Sequence, residues 1–244
     1  MGASRIILPD PTTDCMLIDY ALATCANDIY TTIDTDIEHV NYDVNGEQFS
    51  LFYDDKTIVL AIRGSDEAID WIRNVNLQPI YLDLPNMGWV AVHKGFKAGA
   101  SLIARTCDKL VRELMIDRKL YITGHSRGGA VAALLPLVWH NITPTRITTF
   151  GAPAFMKDGF GTLYDEHIYP HLIRYVNDMD AVPAHPVKYE QAGIVRYVTP
   201  KGIRTSKRLF SDMRRAIRSI YGGYMARQHD MTLYLAWLKK VIDG

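Results

Sequence analysis

Between Tyr121 and Ala130 the chain reads Tyr-Ile-Thr-Gly-His-Ser-Arg-Gly-Gly-Ala, and no other stretch constrains the fold as tightly. A β-leaning run, Lys119 to Thr123, enters it, and an alanine-rich helical pattern, Ala130 to Trp139, leaves it. Gly124-x-Ser126-x-Gly128 between a strand and a helix is the context of a nucleophile elbow. Side chains flanking the serine collide in so tight a turn unless glycines stand two residues either side of it. The turn lifts Ser126 Oγ off the sheet edge and starts a helix at the serine, where an anion is favoured.

A serine hydroxyl is a poor nucleophile at neutral pH. It needs a base within hydrogen-bond reach and an acid that orients the base. In α/β-hydrolases the partners follow in the order Ser, Asp or Glu, His, from loops at the carboxyl end of the sheet. The run Leu172 to Val176 reads as a strand, and Asp178 and Asp180 both follow it as candidate acids. Beyond it, His185 and His229 are the candidate bases. The oxyanion of acyl transfer needs N–H donors: the backbone of Arg127, directly after the nucleophile, and the loop after an earlier strand, where Ser65 stands.

That earlier strand is Ile58-Val59-Leu60-Ala61-Ile62, apolar throughout as in a strand covered on both faces. With Gln48 to Tyr53 it forms a predicted hairpin across Asp54-Asp55. Asp14 opens a helical pattern through Leu17, Ile18, Ala21, Leu22, Cys25 and Ile29. Ile69, Ile72 and Val75 share one face of a short helix beginning at Asp66-Glu67. Pro79, Pro85 and Gly88 predict a loop before a long helix from His93 to Met115. Further strands are predicted at Arg146 to Phe150 and Ile194 to Val198, and a last helix through Leu233, Leu235, Trp237 and Leu238. Strands alternate with helices from about residue 57, the pattern of a largely parallel sheet with helices on both faces. No repeat or long linker divides residues 1–244, which read as a single α/β domain.

Five ordered motifs resemble the class 3 lipases, the fungal triacylglycerol lipase group of the α/β-hydrolase fold. They are Arg63-Gly64-Ser65 with Asp70-Trp71, His93-Lys94-Gly95-Phe96, Gly124 to Ala130, Phe150-Gly151-Ala152-Pro153, and Val176-Asn177-Asp178-Met179-Asp180-Ala181-Val182-Pro183. The resemblance implies a carboxylic ester hydrolase acting on acylglycerols, with no cofactor and no metal. The family's acid precedes x-Val-Pro, implying Asp180, and its histidine lies close to the C-terminus, implying His229. Its second oxyanion donor is the hydroxy residue after Arg-Gly, implying Ser65. Its lid is the short amphipathic helix that follows, here about residues 66–77 with Ile69, Trp71, Ile72 and Val75. Such a lid hides the site in water and rolls back at a lipid surface. Arg127 departs from the family, which commonly carries leucine there. Its guanidinium has two prospects, an anionic headgroup or a nearby carboxylate. Phospholipase A1-type activity and a catalytically silent scaffold that binds membrane or a partner are the alternative functions.

The remaining features are assigned blander roles. His125 braces the elbow. Pro170 separates His167 and His171, so they do not share a helix face for a metal. Cys15, Cys25 and Cys107 show no CxxC and read as free core thiols. From Arg204 to Tyr221 a basic amphipathic pattern reads first as a surface helix, and second as a peripheral contact with anionic lipid. Formal charge is zero, but residues 1–90 hold fifteen carboxylates against four Lys or Arg. That split excludes one dominant basic field and with it a nucleic-acid binder. With no apolar run of about 18 residues and no signal peptide visible, the chain reads as soluble: cytoplasmic, or a mature form without its leader.

Overall fold

The computed structural model describes residues 6–10, 12–31, 35–65, 78–84, 88–157, 159–169, 171–177, 180–186, 188–199, 201–206 and 228–244. The predicted lid, with Ile69, Trp71, Ile72 and Val75, lies outside the described residues, as do Asp178 and residues 207–221 of the basic pattern. In chain order come α1 (Cys15–Asp28), β1 (Glu38–Val44), β2 (Glu47–Tyr53), β3 (Thr57–Ile62), β4 (Pro79–Leu84) and β5 (Gly88–His93). Next are α2 (Lys94–Leu114), β6 (Lys119–His125), α3 (Arg127–Val138), β7 (Arg146–Phe150), β8 (Met156–Lys157) and β9 (Leu172–Asn177). The chain closes with β10 (Tyr189–Glu190), β11 (Ile194–Thr199), β12 (Gly202–Ser206) and α4 (Met231–Ile242).

Eight strands form the main sheet in the order β1-β2-β3-β6-β7-β9-β11-β12. From β3 to β11 every neighbouring pair is parallel, and β1, β2 and β12 are antiparallel additions at the edges. Alternation along β3 explains how both faces are covered. Val59 and Ala61, with Phe52 and Tyr121, pack on Ile18, Leu22 and Cys25 of α1 and on Ile29 just beyond it. Ile58, Leu60 and Ile62, with Leu120 and Ile122, turn to the face that holds α2 and α3. Residues 130–135 of α3 are buried on every side, as befits a helix apolar all round. Among the described residues no helix is long and apolar enough to cross a membrane.

Three segments depart from the sequence-based expectation. β1 joins the sheet through Asn45-Gly46, whose φ values of 50° and 81° suit a tight two-residue hairpin turn. The segment read as a loop around Pro79 and Gly88 contains β4 and β5, which pair with β8 and β10 in a second, four-stranded sheet. Pro79 is tolerated because it opens β4, an edge strand. Arg204 belongs to β12 and not to a helix. Cys15 is exposed in the first turn of α1, whereas burial pushes the thiols of Cys25 and Cys107 up to about 12.

One buried carboxylate fastens α1 to the sheet. Asp19 is fully buried and accepts from Arg146 Nε at 2.8 Å, Thr148 Oγ1 at 2.8 Å, Tyr175 Oη at 2.7 Å and Arg196 at 2.7 Å. Its partners stand on β7, β9 and β11, three neighbouring strands. Removing one member of such a network strands the others in a poorly solvating interior. Asp19→Ala is therefore expected to lose about 3 kcal/mol of stability in urea unfolding. A loss below about 1 kcal/mol would show that the network adds little to the folded state.

Candidate active site

Strand register decides which loops meet. Ile62 is paired with Gly124, His125 with Phe150, and Phe150 with Tyr175. The carboxyl ends of β3, β6, β7 and β9 therefore lie side by side, and the loops that leave them share one edge of the sheet.

Ser126 sits between β6 and α3 with φ 54° and ψ −131°, a conformation that L-residues rarely adopt. Its N–H donates to Phe150 O at 2.9 Å, and its carbonyl accepts from Gly129 N at 2.9 Å. Glycine is compulsory on either side. A Cβ on Gly124 would lie 2.6 Å from the Gly128 carbonyl, and one on Gly128 would overlap Ile62 O. These close approaches bring the β3–β6 edge together beneath the serine. At the start of α3 the first N–H groups have no acceptor within the helix, which leaves the Arg127 N–H as a donor to a ligand. Residues 63–65 pass directly overhead, because a Cβ on Gly64 would lie 3.0 Å from Ser126 Cβ. Ser65 follows, half-buried.

Asp180 and His229 are brought together from opposite ends of the C-terminal region. His229 Nδ1 lies 2.8 Å from Asp180 Oδ2, with both side chains buried. Asp180 is held by two further donors, Val182 N–H to Oδ1 at 2.9 Å and Tyr234 O–H to Oδ2 at 2.6 Å. Burial first, then Asp180, keeps the Tyr234 phenol well above its ordinary pKa, so it remains a donor. Asn177, the last residue of β9, donates its N–H to Tyr234 Oη and its side-chain amide to Gln228 O. His229 is thereby fixed through the residue before it and through the acid it faces. It also lies against the loop after β7, where a Cβ on Gly151 would be 2.9 Å from His229 Cε1 and 2.8 Å from Asp180 Oδ2.

The alternative base, His185, is not part of this cluster. Its Nε2 makes no hydrogen bond among the described residues, and burial lowers its pKa. His125 braces the site: its ring stands 4.5 Å from the His229 ring, and Nε2 donates to His229 O at 2.7 Å. Among the described residues, Ser126 Oγ and His229 Nε2 are buried without a hydrogen-bond partner, and no bond joins them. Such contacts commonly close only around substrate. Chemically the arrangement offers a hydroxyl on a strained turn and an imidazole oriented by a carboxylate.

Between its two prospects, the Arg127 guanidinium takes the carboxylate. It forms a two-pronged ion pair with Glu47 at the start of β2, NH1 to Oε2 at 2.8 Å and NH2 to Oε1. Glu47 is almost fully buried, packed where a Cβ on Gly99 would meet it. Sequence reasoning missed Glu47, Tyr234 and Asn177. Tyr234 carried one faint signal, its position five residues after a candidate base.

The fold is that of the α/β-hydrolases. Within it, residues 59–190, more than half of the chain, match the class 3 lipase family, and the chain belongs to that family. A lipase of Rhizomucor miehei is 28% identical over 223 residues, covering 86% of this chain and 58% of its own length. A secreted mono- and diacylglycerol lipase of Fusarium solani is 29% identical over 135 residues, covering 54% of this chain and 40% of its own. The chain thus spans less than two thirds of either relative. The Rhizomucor miehei lipase–propeptide complex superposes with a TM-score of 0.67 at 20% identity, covering 86% of this chain and 77% of that one. Lipase II from Rhizopus niveus gives 0.63 at 22% identity, over 79% and 77% of the two chains. At these identities the superpositions speak for the fold.

Because Glu47 has only Arg127 as its ion-pair partner among the described residues, Arg127→Leu leaves a carboxylate buried alone. The expected loss is about 3 kcal/mol in urea unfolding, and the double variant Arg127→Leu/Glu47→Leu should recover most of it. Equal stability of the single variant and the wild type would mean the pair is dispensable.

Proposed function

We propose that this chain is a serine carboxylic ester hydrolase that acts on acylglycerols through an acyl-enzyme. The observation that carries it is the 2.8 Å contact between His229 Nδ1 and Asp180 Oδ2, set beside Ser126 on its strained turn. Family membership and relatives named as lipases support the same reaction.

Ser126 Oγ attacks the ester carbonyl while its proton passes to His229 Nε2. The imidazolium keeps its Nδ1 proton toward Asp180, which stabilises the new charge without taking it. The N–H groups of Ser65 and Arg127 hold the oxyanion, each contributing about 3 kcal/mol to the transition state. His229 then returns the proton to the departing glycerol oxygen, leaving the acyl group on Ser126. Water enters by the same route in reverse roles and releases the fatty acid. We assign the whole of residues 1–244 to one domain built around this site.

Residues 66–77, with Ile69, Trp71, Ile72 and Val75, act as the lid in this proposal, and segment 204–221 adds a basic contact to a lipid surface. Tyr81 and Trp89, exposed on the β4–β5 hairpin that follows the lid segment, suit the same boundary, where amphipathic aromatic rings settle. A headgroup-selecting role for Arg127 is disfavoured, since Glu47 neutralises the guanidinium. Substrates with uncharged headgroups fit better than phospholipids.

Ser126→Ala is expected to abolish p-nitrophenyl ester hydrolysis and fluorophosphonate labelling while circular dichroism stays unchanged. Wild-type protein that resists labelling in the presence of lipid would sink the acyl-enzyme and favour the silent, binding scaffold. Faster turnover of phospholipids than of mono- and diacylglycerols would overturn the substrate assignment.

A further inference from the structure

The two proposed oxyanion donors belong to separate segments, Ser65 after β3 and Arg127 after β6. Their N–H groups must converge on a single oxygen atom, so the spacing between the segments has to be fixed by something. One side chain spans them. Tyr30, just beyond α1, places its hydroxyl 2.9 Å from Gly64 N and 3.1 Å from His125 Nδ1. Gly64 immediately precedes one donor, and His125 stands two residues before the other.

The direction of every bond in this bridge is forced. The His229 carbonyl, 2.7 Å from His125 Nε2, has no proton to give, so Nε2 carries one. Burial first, and the nearby His229 second, keep His125 well below the ordinary histidine pKa, so the ring holds that proton alone. Nδ1 is then bare and accepts from the Tyr30 O–H. A lone pair of the same oxygen receives the Gly64 N–H. The chain runs Gly64 N–H to Tyr30 O–H to His125, and from His125 to the backbone of His229.

We propose that Tyr30 is a positioning residue for ester hydrolysis, its hydroxyl setting the separation between the oxyanion loop and the nucleophile elbow. The proposal rests on the acyl-enzyme reading above. Two features make the bridge stiff. The Arg63 guanidinium lies 5.2 Å from the Tyr30 ring centroid, and the ring meets His125 edge-on at 5.8 Å. A side chain on Gly64 would run into the hydroxyl, so the loop sits directly on it. The ring is held by packing, and the hydroxyl alone makes the two bonds.

Tyr30→Phe separates these contributions, because it keeps the ring and deletes the bridge. Deleting an oxyanion donor outright costs about 10²- to 10³-fold in rate. A donor that survives but is free to drift should cost less, about tenfold. On a soluble short-chain p-nitrophenyl ester, kcat per fluorophosphonate-titrated site is expected to fall about tenfold with KM within about twofold. The inhibition constant of an alkylboronic acid, which becomes a tetrahedral anion on Ser126, should rise by the same factor. A purely structural role would lower the unfolding midpoint and leave kcat per titrated site and the boronate constant at wild-type values, and that result overturns the proposal. Should Tyr30→Phe not fold, 3-fluorotyrosine placed at position 30 keeps the bridge but weakens the oxygen as an acceptor for Gly64. A fall in kcat of about twofold or more is then expected, and an unchanged kcat overturns the proposal. Wild-type protein without turnover or labelling would instead remove the acyl-enzyme reading and this inference with it.

Discussion

Ser126 holds a backbone angle of 54° that costs about 1–3 kcal/mol, and much of the surrounding structure is what keeps it there. The strain persists because the turn is over-determined. Phe150 of β7 takes its N–H, the first turn of α3 takes its carbonyl, and backbone from β3 and from Gly128 closes in on both glycines. Each constraint is supplied by an element fixed for another reason, by ladder pairing or by burial of α3 beneath α2. Loosening the sheet anywhere between β3 and β7 would let the turn relax and draw the hydroxyl back toward the sheet.

Around that turn, three buried carboxylates each gather a set of donors from segments far apart in sequence. Asp19 gathers two guanidinium groups, a phenol and a hydroxyl from three strands. Glu47 takes Arg127 across eighty residues. Asp180 takes His229, Tyr234 and the Val182 N–H. A buried carboxylate without such company would be costly, so these sets are complete or the fold is weaker for it. The first set pins α1, whose C-terminal end then delivers Tyr30 to the site; the other two lie at the site itself. Stability and placement of the chemistry draw on the same type of contact.

The elbow, the doubly buried strand 58–62 and the capped helix at Asp14 were legible in the sequence, because glycine spacing, apolar runs and caps are local signals. The strand β1 has a local signal too, Asn45-Gly46, but its run is only weakly apolar and does not mark a strand by itself. The segment holding β4 and β5 misled through its prolines and glycine: punctuation that breaks a central strand is harmless in an edge strand. Residue type alone points Cys15 to the core, although the first turn of α1 presents it to solvent. For the site, the order Ser, Asp, His left two acids and two bases open, and resemblance to a family narrowed them where local pattern did not. Glu47 and Tyr30 had no signal of their own, and Tyr234 had only its place five residues after a candidate base. Each acts through a partner beyond the range of any local pattern, Arg127 for Glu47, His125 for Tyr30 and Asp180, 54 residues away, for Tyr234.

Asn177 ends β9 with its backbone on Tyr234 and its side chain on Gln228, so it touches the residue before His229 and the helix after it. The histidine is consequently placed by anchorage at its destination, and not by the length of chain that leads to it from β12. Such a site tolerates wide change in the path between two fixed points. That path can be lengthened, shortened or recomposed while the imidazole stays in register with its acid.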